Sequence, residues 1–377
     1  MKLNRLIAIT RKEAIQIRRD PRSLLIVFLM PVMLMTLMGY GISLDQKNVP
    51  LCIFDREGSQ QSQDLLKHFQ ASVYFNIVMV NNDYPSLVHA IDQGKCSLGL
   101  VVPNDFSEEL HKGGEVDVQG IVDATDDNSA NLIFGYAQVV IAGYSNDVQL
   151  QYLQSNGHPT MNPPVSVESR AWFNEDLDSS NFIVPGVVVI VMAVIGTFLT
   201  SLTVAREWER GTMEQLVSTP VTPLEVTIGK LIPYFALGFA DTIFCEAIAV
   251  LWFQVPFRGA ILMMVLASAL FLAVVLLLGY WISAATKSQL AASQFSLVLT
   301  FLPAFLLSGF AFPIDQMPLA VQAITYLTPA RYYLTLVKAI FLKGPGLAPL
   351  MPQIFALTLF ATIVGRMALR SFRKVLQ

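Results

Sequence analysis

One dense group of charged side chains lies at residues 206–225, between two long apolar runs. Its sequence is Arg-Glu-Trp-Glu-Arg-Gly-Thr-Met-Glu-Gln-Leu-Val-Ser-Thr-Pro-Val-Thr-Pro-Leu-Glu. Carboxylates and guanidinium groups in this arrangement form ion pairs and hydrogen bonds with complementary groups on a partner. The segment has no metal-ligand or nucleophile motif, so its residue types favour protein docking over catalysis.

Catalytic motifs are also absent from the rest of the sequence. The histidines His68, His89, His111 and His158 are scattered without metal-ligand spacing, and no HExxH or GxSxG sequence occurs. The phosphate-binding pattern GxxxxGK[ST] is absent too. We therefore expect no ATP hydrolysis by this chain alone, and no cofactor or metal bound to it.

Two carboxylates, Asp241 and Glu246, lie inside an otherwise apolar run. A carboxylate at membrane depth is costly, so it usually faces a bundle interior or a water-filled path. One interpretation is a substrate or cation contact on a translocation path. The other is a hydrogen bond between helices; it is favoured for Glu246, and both stay open for Asp241.

The sequence has three cysteines. Cys245 lies in an apolar run, whereas Cys52 and Cys96 lie in an acidic block. If that block is extracytoplasmic, Cys52 and Cys96 could form a disulfide. Two separately buried thiols are the alternative.

The elements that carry these residues are mostly apolar. The chain is 54% hydrophobic and 14% charged, compared with about 25% charged residues in soluble domains. Apolar runs predict six membrane-spanning helices, at residues 23–44, 182–205, 223–253, 260–285, 290–312 and 350–369. The first run is too long for a cleaved signal peptide and lacks a small-x-small cleavage site.

Charge distribution predicts the topology. Seven basic residues occur in the first 22 residues, and four more lie between Arg366 and Lys374. Between Asp45 and Asn181 there are 19 acidic and 6 basic residues. By the positive-inside rule, both termini are cytoplasmic and residues 45–181 are extracytoplasmic. Residues 1–22 would form an amphipathic interfacial helix and residues 370–377 a cytoplasmic tail. Nucleic-acid binding is not expected, because no aromatic residues interleave with the basic ones.

Residues 45–181 have the pattern of a folded domain. Short strands are predicted near residues 49–54, 74–80, 98–102 and 116–122, and helical segments lie between them. A longer helix is expected at residues 129–152, then a proline-marked turn at 156–164 and a last strand near 165–173. The predicted fold class is therefore an α-helical polytopic membrane protein with six transmembrane helices and an inserted α/β domain between the first two.

The charged segment itself is predicted to be a short helix between two spans. Gly211 ends the preceding helix, and Thr212 with Gln215 forms a capping box. Pro220 ends the short helix, and Thr222 with Glu225 forms a second capping box before the next span. The short helix would present Glu207, Glu209, Arg210 and Glu214 to a partner. A solvated cytoplasmic loop is the alternative.

This segment resembles the signature of ABC type-2 exporter permeases, which include the YbhS/YhhJ-like and daunorubicin-resistance-type multidrug permeases. A second element, Leu307–Pro318 with Tyr326–Tyr332, is similar to a later motif of that family. The resemblance implies that residues 206–222 form a coupling helix for a separate ATPase, with docking roles for Arg206, Glu207, Glu209, Arg210, Gly211, Thr212, Met213, Glu214 and Leu216. It also implies that residues 313–349 form re-entrant helices at the outer leaflet, with roles for Gly309, Pro313, Pro318, Pro329 and Arg331.

The function expected from this resemblance is the permease subunit of an ATP-binding-cassette exporter in the bacterial inner membrane. It would move amphipathic drug-like or lipid-like molecules outward, with ATP and Mg bound by partner ATPase subunits. A second permease chain, identical or paralogous, a periplasmic adaptor and membrane lipid are further expected partners. The alternatives are a non-transporting receptor or assembly platform, and an ion-coupled secondary transporter that uses Asp241. The lack of an internal repeat counts against the latter.

Overall fold

The computed structural model describes residues 3–41, 48–112, 114, 116–155, 173 and 178–371. The chain divides into two compact units. The helical unit contains Met1–Ser43 and Ala171–Gln377, and the sheet unit contains Leu44–Arg170. The predicted turn at residues 156–164 and strand near 165–173 lie outside the described residues, apart from Phe173.

The described elements are mostly helical. The α-helices are α1 (Leu3–Arg18), α2 (Pro21–Gly41), α3 (Gln60–Ala71), α4 (Tyr84–Asp92), α5 (Phe106–His111), α6 (Asp127–Ser155), α7 (Ser180–Glu209), α8 (Thr212–Ser218), α9 (Pro223–Leu251), α10 (Ile261–Thr286), α11 (Gln289–Ser296), α12 (Leu302–Leu306), α13 (Leu319–Thr325), α14 (Pro329–Lys338) and α15 (Met351–Ser371). The strands are β1 (Val49–Asp55), β2 (Phe75–Val80), β3 (Leu98–Val102) and β4 (Gln119–Val122).

Six helical segments in the described part of the chain are long and apolar enough to cross a bilayer. They are Leu24–Gly41, Ser180–Glu209, Pro223–Leu251, Ile261–Thr286, Gln289–Leu306 and Ala348–Ser371. About 20 helical residues cover a hydrocarbon core of roughly 30 Å. The prediction of a multi-pass helical membrane protein is therefore confirmed.

α7 lies at the centre of the helical unit and packs closely against α10. A Cβ atom on Gly279 of α10 would overlap the carbonyl oxygen of Thr197 on α7, so only glycine permits this approach. Thr200 Oγ1 donates a hydrogen bond to the carbonyl oxygen of Leu276 at 2.9 Å. Ser283 Oγ accepts from the amide of Ala205 at 2.9 Å. Hydrogen bonds and small residues are the usual means of joining helices in lipid.

The fifth span ends earlier than the sequence predicted. Its helix stops at Leu306 instead of continuing to residue 312, and residues 297–301 are π-helical. Pro303 has no amide hydrogen, which disturbs the helical ladder where this π-helical segment ends. Gly309 then has φ +86°, a conformation outside any right-handed helix.

Short helices follow between the fifth and sixth spans. A 3₁₀ turn follows Pro313, α13 begins directly after Pro318, and Pro329 is the first residue of α14. The Arg331 guanidinium lies 3.9 Å from the centre of the Tyr326 ring and donates to Thr325 Oγ1. α14 is anchored by Tyr333, whose ring stacks on Phe271 of α10. The position of these helices at the outer leaflet stays a prediction.

The sheet unit contains a four-stranded sheet in the order β2-β1-β3-β4. β2, β1 and β3 are parallel and β4 is antiparallel to β3, as expected for a largely parallel sheet joined by helices. Alternate residues of β1 point to opposite faces: Leu51 and Ile53 pack with α3 and α6, whereas Cys52 packs with α4. The first four predicted strands are observed, with ends that differ from the prediction by at most three residues.

Candidate functional site

The segment after α7 is shaped by two local signals that the sequence indicated. Gly211 has φ +70°, which turns the chain between the end of α7 and the start of α8. The capping box at the start of α9 is confirmed: Thr222 Oγ1 accepts from the amide of Glu225 at 3.3 Å, and Glu225 Oε2 accepts from the amide of Thr222 at 2.9 Å. α8 is thus a separate short helix held at both ends.

The predicted docking residues divide into exposed and buried ones. Glu209, Arg210, Gly211 and Thr212 are exposed. Met213 is buried in a cluster with Val221 and Tyr280, which fixes α8 to α9 and α10. Arg206 is half-buried. Glu214 and Leu216 lie on α8, but their side chains are outside what the structure describes.

Glu207 corrects the sequence prediction, which placed it on the docking surface. Its side chain is 8% exposed, and Oε2 lies 2.9 Å from Lys230 Nζ in an ion pair, though not in hydrogen-bond geometry. Lys12 Nζ donates to its other carboxylate oxygen. Glu207 is therefore committed to contacts within the chain and is not available to a partner.

Glu207 belongs to a group of four charged residues, called here the charge cluster: Lys12, Glu13, Glu207 and Lys230. Lys230 Nζ donates to Glu13 Oε1 at 2.9 Å, and Lys12 Nζ lies 3.4 Å from the same oxygen. Glu13 and Lys230 are almost fully buried, with side chains 2% and 1% exposed. The formal charges sum to zero, so each buried charge has an opposite partner, as burial requires. The charge cluster joins α1, the end of α7 and the start of α9.

Lys12 is the member of the charge cluster that reaches solvent. Burial lowers its pKa, but the hydrogen bond and charge of Glu207, together with Glu13, outweigh burial and raise the pKa above its usual value. Lys12 is therefore protonated throughout the physiological range. Its positive charge can therefore pair with the carboxylates of Glu13 and Glu207 throughout that range.

α1 packs on α9 through a close helix contact beside the charge cluster. A Cβ atom on Gly229 would lie 2.9 Å from Ile9 Cγ2, and Leu6 packs next to it. The sequence predicted that the apolar stripe of this helix faces lipid. Leu3 and Ile7 of this stripe are exposed, whereas Leu6 is buried against the protein together with Ile9. Contact between the stripe and lipid stays a prediction.

The end of α7 is also fixed to neighbouring segments. Glu209 accepts hydrogen bonds from the backbone amide and the side-chain amide of Gln289, at the start of α11. Arg5 donates to the carbonyl oxygen of Pro220, between α8 and α9. Lys287 lies over the Trp208 ring at 4.5 Å. Arg210, just before α8, and Thr212, Gln215 and Ser218 of α8 remain exposed.

Sequence reasoning missed three of the four members of the charge cluster. Lys12 belongs to the basic N-terminal segment and Lys230 to an apolar run, and neither pattern by itself indicates a contact with Glu13 or Glu207. Two signals were available: a lone lysine inside a span and a lone glutamate inside a basic segment. Both are costly unless paired.

The two span carboxylates lie apart and have different partners. Asp241 is buried and accepts a weak hydrogen bond from Cys245 Sγ at 3.9 Å. Glu246 accepts from Ser268 Oγ of α10 at 2.8 Å, and Ser268 Oγ lies 2.8 Å from the hydroxyl of Tyr333 on α14. Glu246 thus makes the hydrogen bond between helices that the sequence analysis favoured.

Cys52 and Cys96 form a disulfide in the sheet unit. Their Cα atoms are 5.7 Å apart, within the usual range. The bond ties the middle of β1 to the loop before β3, beside Leu87 and Ile91 of α4. Cys245 is a buried free thiol in the helical unit.

Comparison with known proteins identifies the family of this chain. The ABC-2 family transporter protein model matches residues 22–370. The chain is 39% identical to the probable multidrug ABC transporter permease YbhS of Escherichia coli K12, over 89% of this chain and 88% of that protein. It is 28% identical to the probable multidrug ABC transporter permease YbhR of the same strain, over 98% of this chain and 99% of that protein. It is 29% identical to the inner membrane transport permease YhhJ of that strain, over 87% of this chain and 86% of that protein. The chain therefore belongs to the ABC-2 transporter family and is a membrane permease, in agreement with its six candidate spans.

Proposed function

We propose that this permease is the membrane subunit of an exporter whose separate ATPase subunits dock on α8. The docking surface would consist of Glu209, Arg210 and Thr212 with the exposed side of α8, within the coupling segment at residues 206–222. ATP and Mg would be bound by the ATPase subunits. Two permease chains, identical or paralogous, would form the complete transporter.

The observation that carries this proposal is how α8 is fixed to the neighbouring segments. A positive-φ glycine precedes it, the Thr222–Glu225 capping box follows it, and Met213 anchors it in a buried cluster. The charge cluster then joins the end of α7 to α9 and α1. A displacement of α8 by a bound ATPase would move α1, α7 and α9 together, because packed elements shift as rigid bodies.

Charge distribution supports the sidedness of this scheme. The basic N-terminal segment and the basic residues after α15 would lie in the cytoplasm, on the same side as α8. The acidic sheet unit between the first two spans would then be periplasmic, where a disulfide is stable. It would be available there to a periplasmic adaptor. The membrane would be the bacterial inner membrane.

Amphipathic molecules are the proposed substrates. The names of the relatives YbhS and YbhR specify multidrug transport for those proteins. The main buried cluster of the helical unit is apolar, although the unit also buries polar side chains such as Asp241 and Ser268. Such a path suits drug-like or lipid-like molecules better than ions or sugars.

Reversing one exposed charge tests the docking surface. Arg210→Glu should abolish co-purification of ATPase activity with the full chain and reduce ATP-dependent efflux of ethidium at least tenfold, in the same membrane amount. Arg370→Glu, an exposed charge at the end of α15, is the matched control and should retain both. Normal ATPase association and efflux in Arg210→Glu would refute docking at α8.

A further inference from the structure

The helical unit contains a cavity of about 240 Å³ that lies within one chain. Its walls come from α7, α10, α12, α13, α14 and α15, and from the π-helical segment Leu297–Phe301. The lining includes Phe271, Pro303, Ala304, Phe360 and Val364, and none of the described lining residues is charged. For scale, an engineered apolar cavity of about 150 Å³ holds benzene. The cavity therefore has room for a substituted aromatic ring or a branched alkyl group.

One polar group in this cavity wall has no hydrogen-bond partner. Thr300 is 7% exposed, and its Oγ1 contacts no donor or acceptor among the described residues. Other buried threonines of the spans behave differently: the hydroxyls of Thr197, Thr200 and Thr242 donate to the carbonyl oxygen four residues earlier. An unpaired buried hydroxyl costs about 1–3 kcal/mol.

The π-helical segment explains why Thr300 differs. In an α-helix a threonine hydroxyl reaches the carbonyl four residues earlier. Thr300 lies inside the segment Leu297–Phe301, whose backbone bonds run between residues five apart, so that this carbonyl is displaced. Such segments occur frequently at functional sites. The irregular helix leaves one free hydroxyl on an apolar wall.

We propose that this cavity binds the apolar part of a neutral amphipathic molecule, whose single hydrogen-bonding group pairs with the Thr300 hydroxyl. The apolar lining accepts an aromatic or branched alkyl body, and no charged group among the described lining residues could pair with an ionised ligand. A hydroxyl, amide or ester on the ligand would satisfy Thr300. Both a soluble amphipath and the acyl-ester region of a bilayer lipid have this chemistry.

The site goes beyond the proposed function, because it needs neither the ATPase nor the docking surface. Binding can be measured on the purified full chain in lipid nanodiscs without ATP. A failure of ATPase docking at α8 would leave this binding unchanged. A failure of binding would leave the docking proposal unchanged.

Photo-crosslinking with two probes tests the site and its source of ligand. One probe is a phenol that carries an alkyl diazirine, and the other is a phosphatidylcholine with a diazirine in its acyl chain. Saturable adducts on α10, α12 and α14 at lining residues support the proposal. Adducts from the phenol alone indicate a soluble amphipath, and adducts from the phosphatidylcholine indicate a lipid. Unsaturable adducts spread over exposed helix faces with both probes overturn it.

Three variants separate ligand binding from general damage. Thr300→Val should weaken binding of the probe that labels the cavity about fivefold, the effect of one hydrogen bond, whereas Thr300→Ser keeps the hydroxyl and should retain binding. Thr242→Val is the matched control, because its hydroxyl is already bonded to Gly238. Equal affinity in the wild type, Thr300→Val and Thr300→Ser would refute the role of the hydroxyl.

Discussion

At the residue scale, the charge cluster combines a stability cost with a positional function. Glu13 and Lys230 are nearly inaccessible to water, so their desolvation penalty offsets most of their attraction. Apolar residues of similar size could hold the three helices together equally well. Paired charges, however, allow only one arrangement of α1, α7 and α9, because any shift would leave a buried charge without its partner. We infer that the charge cluster specifies alignment more than it adds stability.

Removing the buried lysine should therefore be far more damaging than removing the exposed one. Lys230→Met leaves Glu13 and Glu207 with Lys12 alone, and should destabilise the protein by about 3–5 kcal/mol. Lys12→Met, at a side chain that is 52% exposed, should cost less, because water can take the place of its ammonium group. Thermal unfolding of the purified chain in detergent measures both. Equal losses in the two variants would contradict the pairing described here.

Removing the charge of Glu13 as well should restore stability to Lys230→Met. Lys230→Met combined with Glu13→Gln leaves the neutral pair Lys12 and Glu207, so most of the lost stability should return. If the double variant is less stable than Lys230→Met alone, packing rather than charge accounts for the loss.

We predict that His68 makes the stability of the sheet unit depend on pH. His68 bonds the backbone carbonyl of Asp64 at 2.9 Å and the carboxylate of Asp147 at 3.1 Å, joining α3 to α6. These contacts raise the pKa of His68 above its usual value against the opposing effect of burial. Because the folded pKa is raised, the stabilisation is complete below the unfolded value of about 6.5 and is lost as pH rises through the folded value.

His68→Gln should remove this pH dependence. Hydrogen exchange of α3 and α6 peptides, corrected for intrinsic rates, should show less protection at pH 8 than at pH 6 in the wild type and no such difference in His68→Gln. His89→Gln is the control, since the His89 ring contacts Gln93 on its own helix. A wild-type pH dependence that persists in His68→Gln would contradict the assignment.

At the element scale, the closest approach of the α7 and α10 backbones depends on Gly279. Gly279→Ala would force the two backbones apart and should cost about 1–3 kcal/mol through overpacking. Gly365→Ala in α15 is the matched control: its nearest neighbour would lie 3.7 Å from the added carbon, in ordinary contact. Alanine favours a helix, so this control should be neutral or stabilising. In thermal unfolding, Gly279→Ala should therefore be less stable than Gly365→Ala. The reverse order would show that α10 can move away from α7 without cost.

Local elements could be predicted from the sequence because their signals are local. Six spans follow from runs of apolar residues, the start of α9 from Thr222 and Glu225 three positions apart, and the strands from short β-branched runs. The early end of the fifth span was missed because residues 307–312 are about as apolar as the membrane-spanning helices. Their conformation depends on Gly309 and on the ring of Phe310, which packs against Gly186.

Contacts between distant residues could not be predicted in this way. Lys12 and Glu207 are 195 positions apart, and Glu13 and Lys230 are 217 apart. Spacing along one helix gives no information on such pairs, so Glu207 was assigned to an exposed surface by its helix position alone. The family signature also marked Glu207 without distinguishing an internal role from a docking role.

At the scale of the whole molecule, the charge distribution and the disulfide both support the proposed sidedness. The basic segments at both ends of the helical unit predict one cytoplasmic face. The disulfide between Cys52 and Cys96 is typical of an oxidising compartment, which supports the proposed periplasmic location of the sheet unit. α8 can receive a push from a cytoplasmic ATPase only if it lies on the basic side. Topology is thus the condition on which the proposed function depends.

Cysteine labelling in spheroplasts should show this topology directly. Val73 in the sheet unit is 75% exposed and Ser218 at the end of α8 is exposed, whereas Cys245 is buried and the other two native cysteines are bonded. Val73→Cys should react with a membrane-impermeant maleimide in intact spheroplasts. Ser218→Cys should react only after permeabilisation, and the wild type should not react in either condition. Labelling of Ser218→Cys from outside would place α8 away from any cytoplasmic ATPase, and export driven through this helix would then be physically impossible.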